Sequence, residues 1–288
     1  MMDKNLKTAT NANNGSIDVQ KHKEIIKATF DTVGGYDAHP LRFFKNSAEY
    51  FVSLLRLRGN ERVIDVATGT GHAALALGSR LPDGHVTAVD FSKGMLDIAR
   101  EKAASMSAHN VEFVEMDMQA MKFGKNQFDA ATCAFGIFFV PDMDAQLAHI
   151  TSLVKPGGQA AICSFQENYF HPLRDMAAKR IMNYGGQPPA PLWKRVATEE
   201  GCKDLFKNAG IGNVRVECAN MGYFLKDEQE WWYILCNTAM RRMFDQLKPQ
   251  DQIRCRDEHL REIAGLATKE GIWLDIPVLY TIGIKDEG

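Results

Sequence analysis

Short β-branched and apolar runs at residues 62–66, 86–89, 111–115, 128–133 and 160–165 are each bounded by glycine, proline or acidic turns. Runs of that length predict buried strands, and the intervening stretches predict helices. Repeated strand-helix units require a parallel sheet. Upstream, residues 19–57 read as helical, with Ile25, Ile26 and Phe30 on one face and Phe43, Phe44, Tyr50, Phe51 and Leu54 recurring further on. Lys155-Pro-Gly-Gly158 reads as the glycine stop of a helix. Residues 166–198 carry His171-Pro172, Gly185-Gly186 and Pro188-Pro-Ala-Pro191, turn chemistry incompatible with one uninterrupted helix. Beyond them the pattern predicts a helix over 199–209 stopped by Gly210, a strand at 214–218, helices over 228–247 and 257–268, and a last strand at 277–284. The expected organisation is a disordered tail at 1–16, a helical cap at 17–57, a ligand-binding core at 58–165, a lid at 166–198 and, at 199–288, completion of the sheet around a helical insertion.

The richest local signal is Asp65-Val-Ala-Thr-Gly-Thr-Gly71, a strand that runs into a glycine turn and opens a helix. The next strand ends in Asp90, placed to accept hydrogen bonds from ribose hydroxyls. A dinucleotide fingerprint would need G-x-G-x-x-G with pyrophosphate on the helix N-terminus. Here two glycines stand in the turn, and Asp65 would repel a phosphate. An upstream carboxylate suits an ammonium and a sulfonium, which points to S-adenosylmethionine. The strand at 111–115 leads to Asp117-Met118, where a carboxylate and a backbone amide could read an adenine edge.

These residues resemble the class I S-adenosylmethionine-dependent methyltransferases, and among them the branch that includes the ubiquinone and menaquinone biosynthesis C-methyltransferases. The resemblance spans residues 30–165 and rests on Tyr36-Asp37, the Asp65 to Gly71 turn, Asp90, Asp117-Met118, the Phe135-Gly136 loop and Lys155-Pro-Gly-Gly158. Ala67 stands where many members have a first glycine. The resemblance implies an α/β fold, a doubly wound, mostly parallel seven-stranded sheet whose last strands form an antiparallel hairpin, with a helical cap. It thins beyond Gln166, so the acceptor does not carry over.

The expected cofactor-binding set is Tyr36, Asp65, Ala67, Thr68, Gly69, Gly71, Asp90, Phe91, Met95, Asp117, Met118, Ala134 and Phe135. Asp65 would fix the cofactor ammonium indirectly or through water, Asp90 the ribose, and Met95 would pack on adenine. A helix-cap role for Asp90 is the alternative, although Ser92 suits that role better. Tyr36 could close over the cofactor or be ordinary amphipathic packing. Phe138 and Phe139 could be acceptor walls or core. Tyr36, His39 and His171 are the catalytic candidates, the histidines because their unperturbed pKa suits proton removal near neutrality. Met176, Trp193, Trp231, Trp232 and Met240, in the lid and late helices, would suit an apolar acceptor or form the lid's own core.

Composition narrows the partners. A net charge of -2 argues against a wide basic face for nucleic acid. The six cysteines show no C-x-x-C pair or zinc spacing, so no metal is expected and a reducing cytoplasm is. No apolar run reaches the roughly 18 residues of a membrane helix, and the first residues lack a signal-peptide centre. The reading is therefore a cytoplasmic methyltransferase acting at C or O of a small, largely apolar acceptor, aromatic, quinone-like or a secondary metabolite. The late helices leave room for a homodimer. An NAD-dependent oxidoreductase and a catalytically silent S-adenosylmethionine-binding partner protein are the alternatives.

Overall fold

The computed structural model describes residues 19–32 and 35–287; the expected tail at 1–16 lies outside them. In chain order the main elements are α1 (Val19–Thr32), α2 (Phe43–Ser53), β1 (Arg62–Val66), α3 (His72–Arg80), β2 (His85–Asp90), α4 (Lys93–Ser105), β3 (Val111–Glu115) and β4 (Phe128–Ala134). They continue with α5 (Met143–Leu153), β5 (Val154–Phe165), α6 (Leu173–Asn183), α7 (Glu199–Asn208), β6 (Asn213–Asn220), β7 (Tyr223–Leu225), α8 (Glu228–Cys236), α9 (Arg241–Phe244), α10 (Pro249–Ala264), β8 (Ile272–Leu274) and β9 (Pro277–Ile284).

Seven strands form one sheet in the order β3-β2-β1-β4-β5-β9-β6. Pairing is parallel from β3 to β5, whereas β9 runs antiparallel to both β5 and β6. The expected doubly wound α/β fold is therefore present. Successive side chains of a strand point to opposite faces, and here both faces are covered. Val63, Val86, Ala130 and Cys163 belong to the core beneath α2, α3, α6 and α8, while Ile64, Val89, Ala131 and Ile162 belong to the core beneath α5 and α7. Strand order reverses between β1 and β4, and the crevice at their carboxyl ends is where such sheets bind ligands.

Several expected boundaries move. The helix before Lys155 ends at Leu153, and Lys155 to Gly158 lie within β5. Gly157, at φ 75°, donates its N–H to Lys285 O, so the glycines serve the start of a strand and not a helix cap. The expected helix over 228–247 breaks into α8 and α9, and the last helix begins at Pro249, eight residues before the predicted 257. The 166–198 segment does contain a helix, α6, which follows the turn at Pro172. β7 and β8 pair as a small antiparallel sheet that the pattern did not show.

Candidate active site

The turn after β1 is held from three sides. Asp65 is fully buried and accepts hydrogen bonds from Thr68 Oγ1 and Thr132 Oγ1, both at 2.6 Å. Burial raises its pKa to about 6, with the Asp90 charge adding and the two hydroxyls opposing. Thr68 N–H donates to Val89 O at 3.0 Å, and Gly69 N–H donates to Asp90 Oδ2 at 2.8 Å. Asp90 Oδ1 accepts a further bond from Ser92 N–H at 2.9 Å, and Ser92 in turn caps α4 by accepting from Met95 N–H. The turn and the strand-terminal acid are thus one hydrogen-bonded unit. Asp65 acts from below it.

Backbone geometry explains the small residues. Ala67, Gly69 and Gly71 all have positive φ, at 56°, 55° and 83°. A Cβ on Gly71 would lie 3.0 Å from Ala99 Cβ and 3.1 Å from Phe113, so that glycine allows α3 and α4 to pack. A Cβ on Gly69 would meet no protein atom within 4 Å. That side of the turn forms an open cradle whose backbone a ligand can approach. Ala67 holds a left-handed conformation that favours glycine, at a cost of about 1 kcal/mol. Its Cβ lies only 2.6 Å from where a Cβ on Gly136 would stand, which joins the turn to the loop after β4.

Of the other expected cofactor residues, Phe91, Asp117, Met118, Ala134 and Phe135 lie at or just beyond the carboxyl ends of β2, β3 and β4. Phe91 follows β2, and Met95 is buried in the first turn of α4. Asp117 caps the short 3-10 helix Met118–Ala120 by accepting from Gln119 N–H at 2.9 Å. Met118 O accepts from Gln146 Nε2 at 2.9 Å. Ala134 and Phe135 close the far side, Phe135 being buried with φ 54° and donating its N–H to Cys163 O. Tyr36 packs between Phe30 and Phe44, with ring centroids at 6.0 and 4.9 Å. Burial and the nearby Asp90 carboxylate push its phenol well above the usual range, so near neutrality it is a donor and not a base.

The two candidate histidines lie elsewhere. His39 is exposed, 3.6 Å from Glu230 Oε1 and 3.2 Å from Arg42 Nη1. His171 is exposed and paired with Asp175 Oδ2 at 2.9 Å. The structure brings neither imidazole into the cluster. Trp231, open between an acceptor wall and ordinary packing, is fully buried, donates its indole N–H to His259 and belongs to the core beneath α2, α3, α6 and α8.

Sequence reasoning missed the contacts between cap and core. Asp37 Oδ1 receives Thr70 Oγ1 at 2.9 Å, His72 Nε2 at 2.7 Å and Lys102 Nζ at 3.0 Å. Burial would raise its pKa, but the bonds and charges of His72 and Lys102 outweigh it and hold the carboxyl at about 2. Helix α1 lies against the same rim: Lys23 pairs with Asp117, Asp31 Oδ1 accepts from Ser92 Oγ at 2.6 Å, and His22 Nε2 is 3.0 Å from Phe139 O. Asp37 stood in the Tyr36-Asp37 motif, but partners as remote as Lys102 leave no local signal. Also unforeseen is a stack beside the cradle, in which Phe135, Phe165 and Tyr169 lie face to face at 4.5 Å spacings.

Residues 63–158 match a family model described as a methyltransferase domain. A demethylmenaquinone methyltransferase of Staphylococcus aureus (strain JH9) is 32% identical over 192 residues, covering 59% of this chain and 79% of that protein. The chain belongs to the class I S-adenosylmethionine-dependent methyltransferases, in their quinone branch. A demethylmenaquinone methyltransferase of Listeria monocytogenes serotype 4a (strain HCC23) is 37% identical over 111 residues, so that 38% of this methyltransferase spans about half, 47%, of that relative. The crystal structure of YcgJ from Bacillus subtilis shares the fold, with a TM-score of 0.58, 18% identity, and coverage of 84% of this chain and 99% of that one. The cofactor of this methyltransferase is S-adenosylmethionine, and the turn fits it: an open cradle at Gly69 and an acid at the end of β2. Nothing in the comparisons favours the NAD-dependent or silent alternatives.

Proposed function

We propose that this methyltransferase methylates a carbon or oxygen of a small, largely apolar aromatic acceptor of quinone-like or secondary-metabolite type. The observation that carries the reading is the aromatic wall beside the cradle. Phe135 stacks on Phe165 at 4.5 Å, Phe165 on Tyr169 at 4.5 Å, and Phe44 meets Phe135 edge-on at 5.5 Å and 81°. Such a wall orients a planar ring and excludes water, which is most of what an in-line methyl transfer asks of a protein. The sulfonium supplies the electrophilic methyl group. Tyr36, held protonated, is placed to donate a hydrogen bond near Asp90. With His39 and His171 at the surface, the reading favours an acceptor that ionises without a protein base, such as a phenol or hydroquinone. The two demethylmenaquinone methyltransferases, named for a quinone-type acceptor, support the same class.

The assigned site comprises Asp65, Ala67, Thr68, Gly69, Gly71, Asp90, Phe91, Met95, Asp117, Met118, Ala134, Phe135 and Tyr36. The test is transfer of labelled methyl from S-adenosylmethionine across a panel of hydroquinones, phenols and aliphatic amines. Transfer to the ring or oxygen of the aromatic acceptors is expected. Transfer confined to amines, or binding of the cofactor with turnover of no acceptor, would overturn the proposal.

A further inference from the structure

Residues 35–42 form a strap pinned at both ends. On the cofactor side, Asp37 Oδ1 gathers donors from three places: Thr70 in the turn at 2.9 Å, His72 at the start of α3 at 2.7 Å, and Lys102 on α4 at 3.0 Å. On the lid side, Tyr233 of α8 donates its hydroxyl to Gly35 O at 3.2 Å, and Tyr223 of β7 donates to Pro40 O at 2.6 Å. Arg42 Nη2 donates to Phe224 O at 3.1 Å, with its guanidinium 3.5 Å above the Tyr223 ring. Between these anchors Tyr36 packs on Phe44, whose ring abuts Phe135 in the acceptor wall.

The fit on the lid side is tight. A Cβ on Gly35 would collide with the Tyr233 hydroxyl and lie 2.7 Å from Asn237 Oδ1, so only glycine allows this approach. The strap therefore touches the cofactor turn and the inserted helices at once, and moving one anchor changes the position of Tyr36 relative to the other. A carboxylate drawing on a lysine and a histidine makes the cofactor-side anchor the stronger one.

We propose that Asp37 is a positioning residue that sets Tyr36 over the cofactor turn, and that the strap it anchors couples cofactor binding to the ordering of α8. Asp37 makes no contact with cofactor in this scheme; it acts through Tyr36 and the strap. The inference rests on the cofactor site assigned above. It predicts that the Tyr233 hydroxyl on α8 matters for cofactor affinity, and only while Asp37 holds the strap.

The experiment is a double-mutant cycle on S-adenosylhomocysteine binding by calorimetry, with the full chain, Asp37→Asn, Tyr233→Phe and both together. Asparagine keeps the shape but loses the charge facing His72 and Lys102, and phenylalanine loses only the hydroxyl. Asp37→Asn is expected to weaken binding by about tenfold, the scale of one charge-assisted hydrogen bond. Tyr233→Phe should weaken it severalfold in the native background and leave it unchanged in the Asp37→Asn background. Hydrogen exchange on the same proteins should show α8 protected by S-adenosylhomocysteine in the native chain and no such protection in Asp37→Asn. If Asp37→Asn does not fold, Lys102→Met takes its place in the cycle. Additive losses, or protection of α8 that survives the loss of Asp37, would overturn the coupling; failure of the native chain to bind would instead overturn the cofactor-site assignment.

Discussion

Gly69 and Gly71 sit two positions apart in one turn and are glycine for different reasons. A side chain at Gly71 would crowd Ala99 and Phe113, so the restriction comes from packing; at Gly69 it would meet no protein atom within 4 Å. Gly69→Ala should therefore fold, losing about 1 kcal/mol for an L residue at φ 55°. Its methyl group would stand in the open cradle, and S-adenosylhomocysteine affinity should fall by more than about tenfold, a larger effect than the loss of stability. Thermal unfolding and calorimetry on one preparation separate the two effects. Undiminished affinity in the folded variant would place the cofactor elsewhere. At this scale the sequence was most legible, because a turn is a local object: Asp65, the glycines and Asp90 announce themselves by spacing alone. What spacing could not reveal is that Asp65 spends both carboxylate oxygens on Thr68 and Thr132, the latter across a neighbouring strand.

Helices α8 and α10 are joined by a buried hydrogen bond, Trp231 Nε1 to His259 Nε2 at 2.8 Å. The bond requires His259 Nε2 to accept, hence a ring uncharged at that nitrogen. Burial lowers the His259 pKa to about 4, and the Glu262 carboxylate only partly opposes this. In the unfolded chain the ring titrates near 6.5, so below that pH the unfolded state binds the extra proton and folding loses ground. The stabilisation is complete above pH 6.5 and drains away as pH falls towards about 4. Its size is on the order of 3 kcal/mol. His259→Gln can still accept from the indole but cannot titrate, so urea unfolding across this range should show a flatter pH dependence than the native chain. The Asp65 carboxyl, raised to about 6, runs the opposite way, favouring the fold as pH falls through that value, and is common to both proteins. Equal slopes would mean that His259 is not held neutral. Element boundaries were less legible than the turn. Pro249 was a start signal for α10, at a position where a missing N–H costs nothing, yet the apolar period pointed to 257. The three-residue strands β7 and β8 meet from opposite ends of the helical insertion, and neither is long enough to show a period of its own.

At the scale of the described molecule two cores share one sheet, and residues 35–42 reach from the turn after β1 to α8 and β7. The four tryptophans, Trp193, Trp231, Trp232 and Trp273, all lie on the part of the chain that follows β5. Their fluorescence therefore reports unfolding of that side, while far-UV circular dichroism reports the helices and sheet of the entire chain. Shared strands and a strap pinned at both ends make these parts one cooperative unit, so the two signals should give a single thermal midpoint. Among the described residues no helix is long and apolar enough to cross a membrane. S-adenosylhomocysteine at a hundredfold excess over its dissociation constant should stabilise the fold by about 2.7 kcal/mol and raise that midpoint by several degrees, whereas NAD should not move it. Both signals should shift together, even though no tryptophan lies within residues 58–165. A fluorescence midpoint that stays in place while the dichroism midpoint rises would divide the chain into independently melting parts, and the strap between them would then carry no energy.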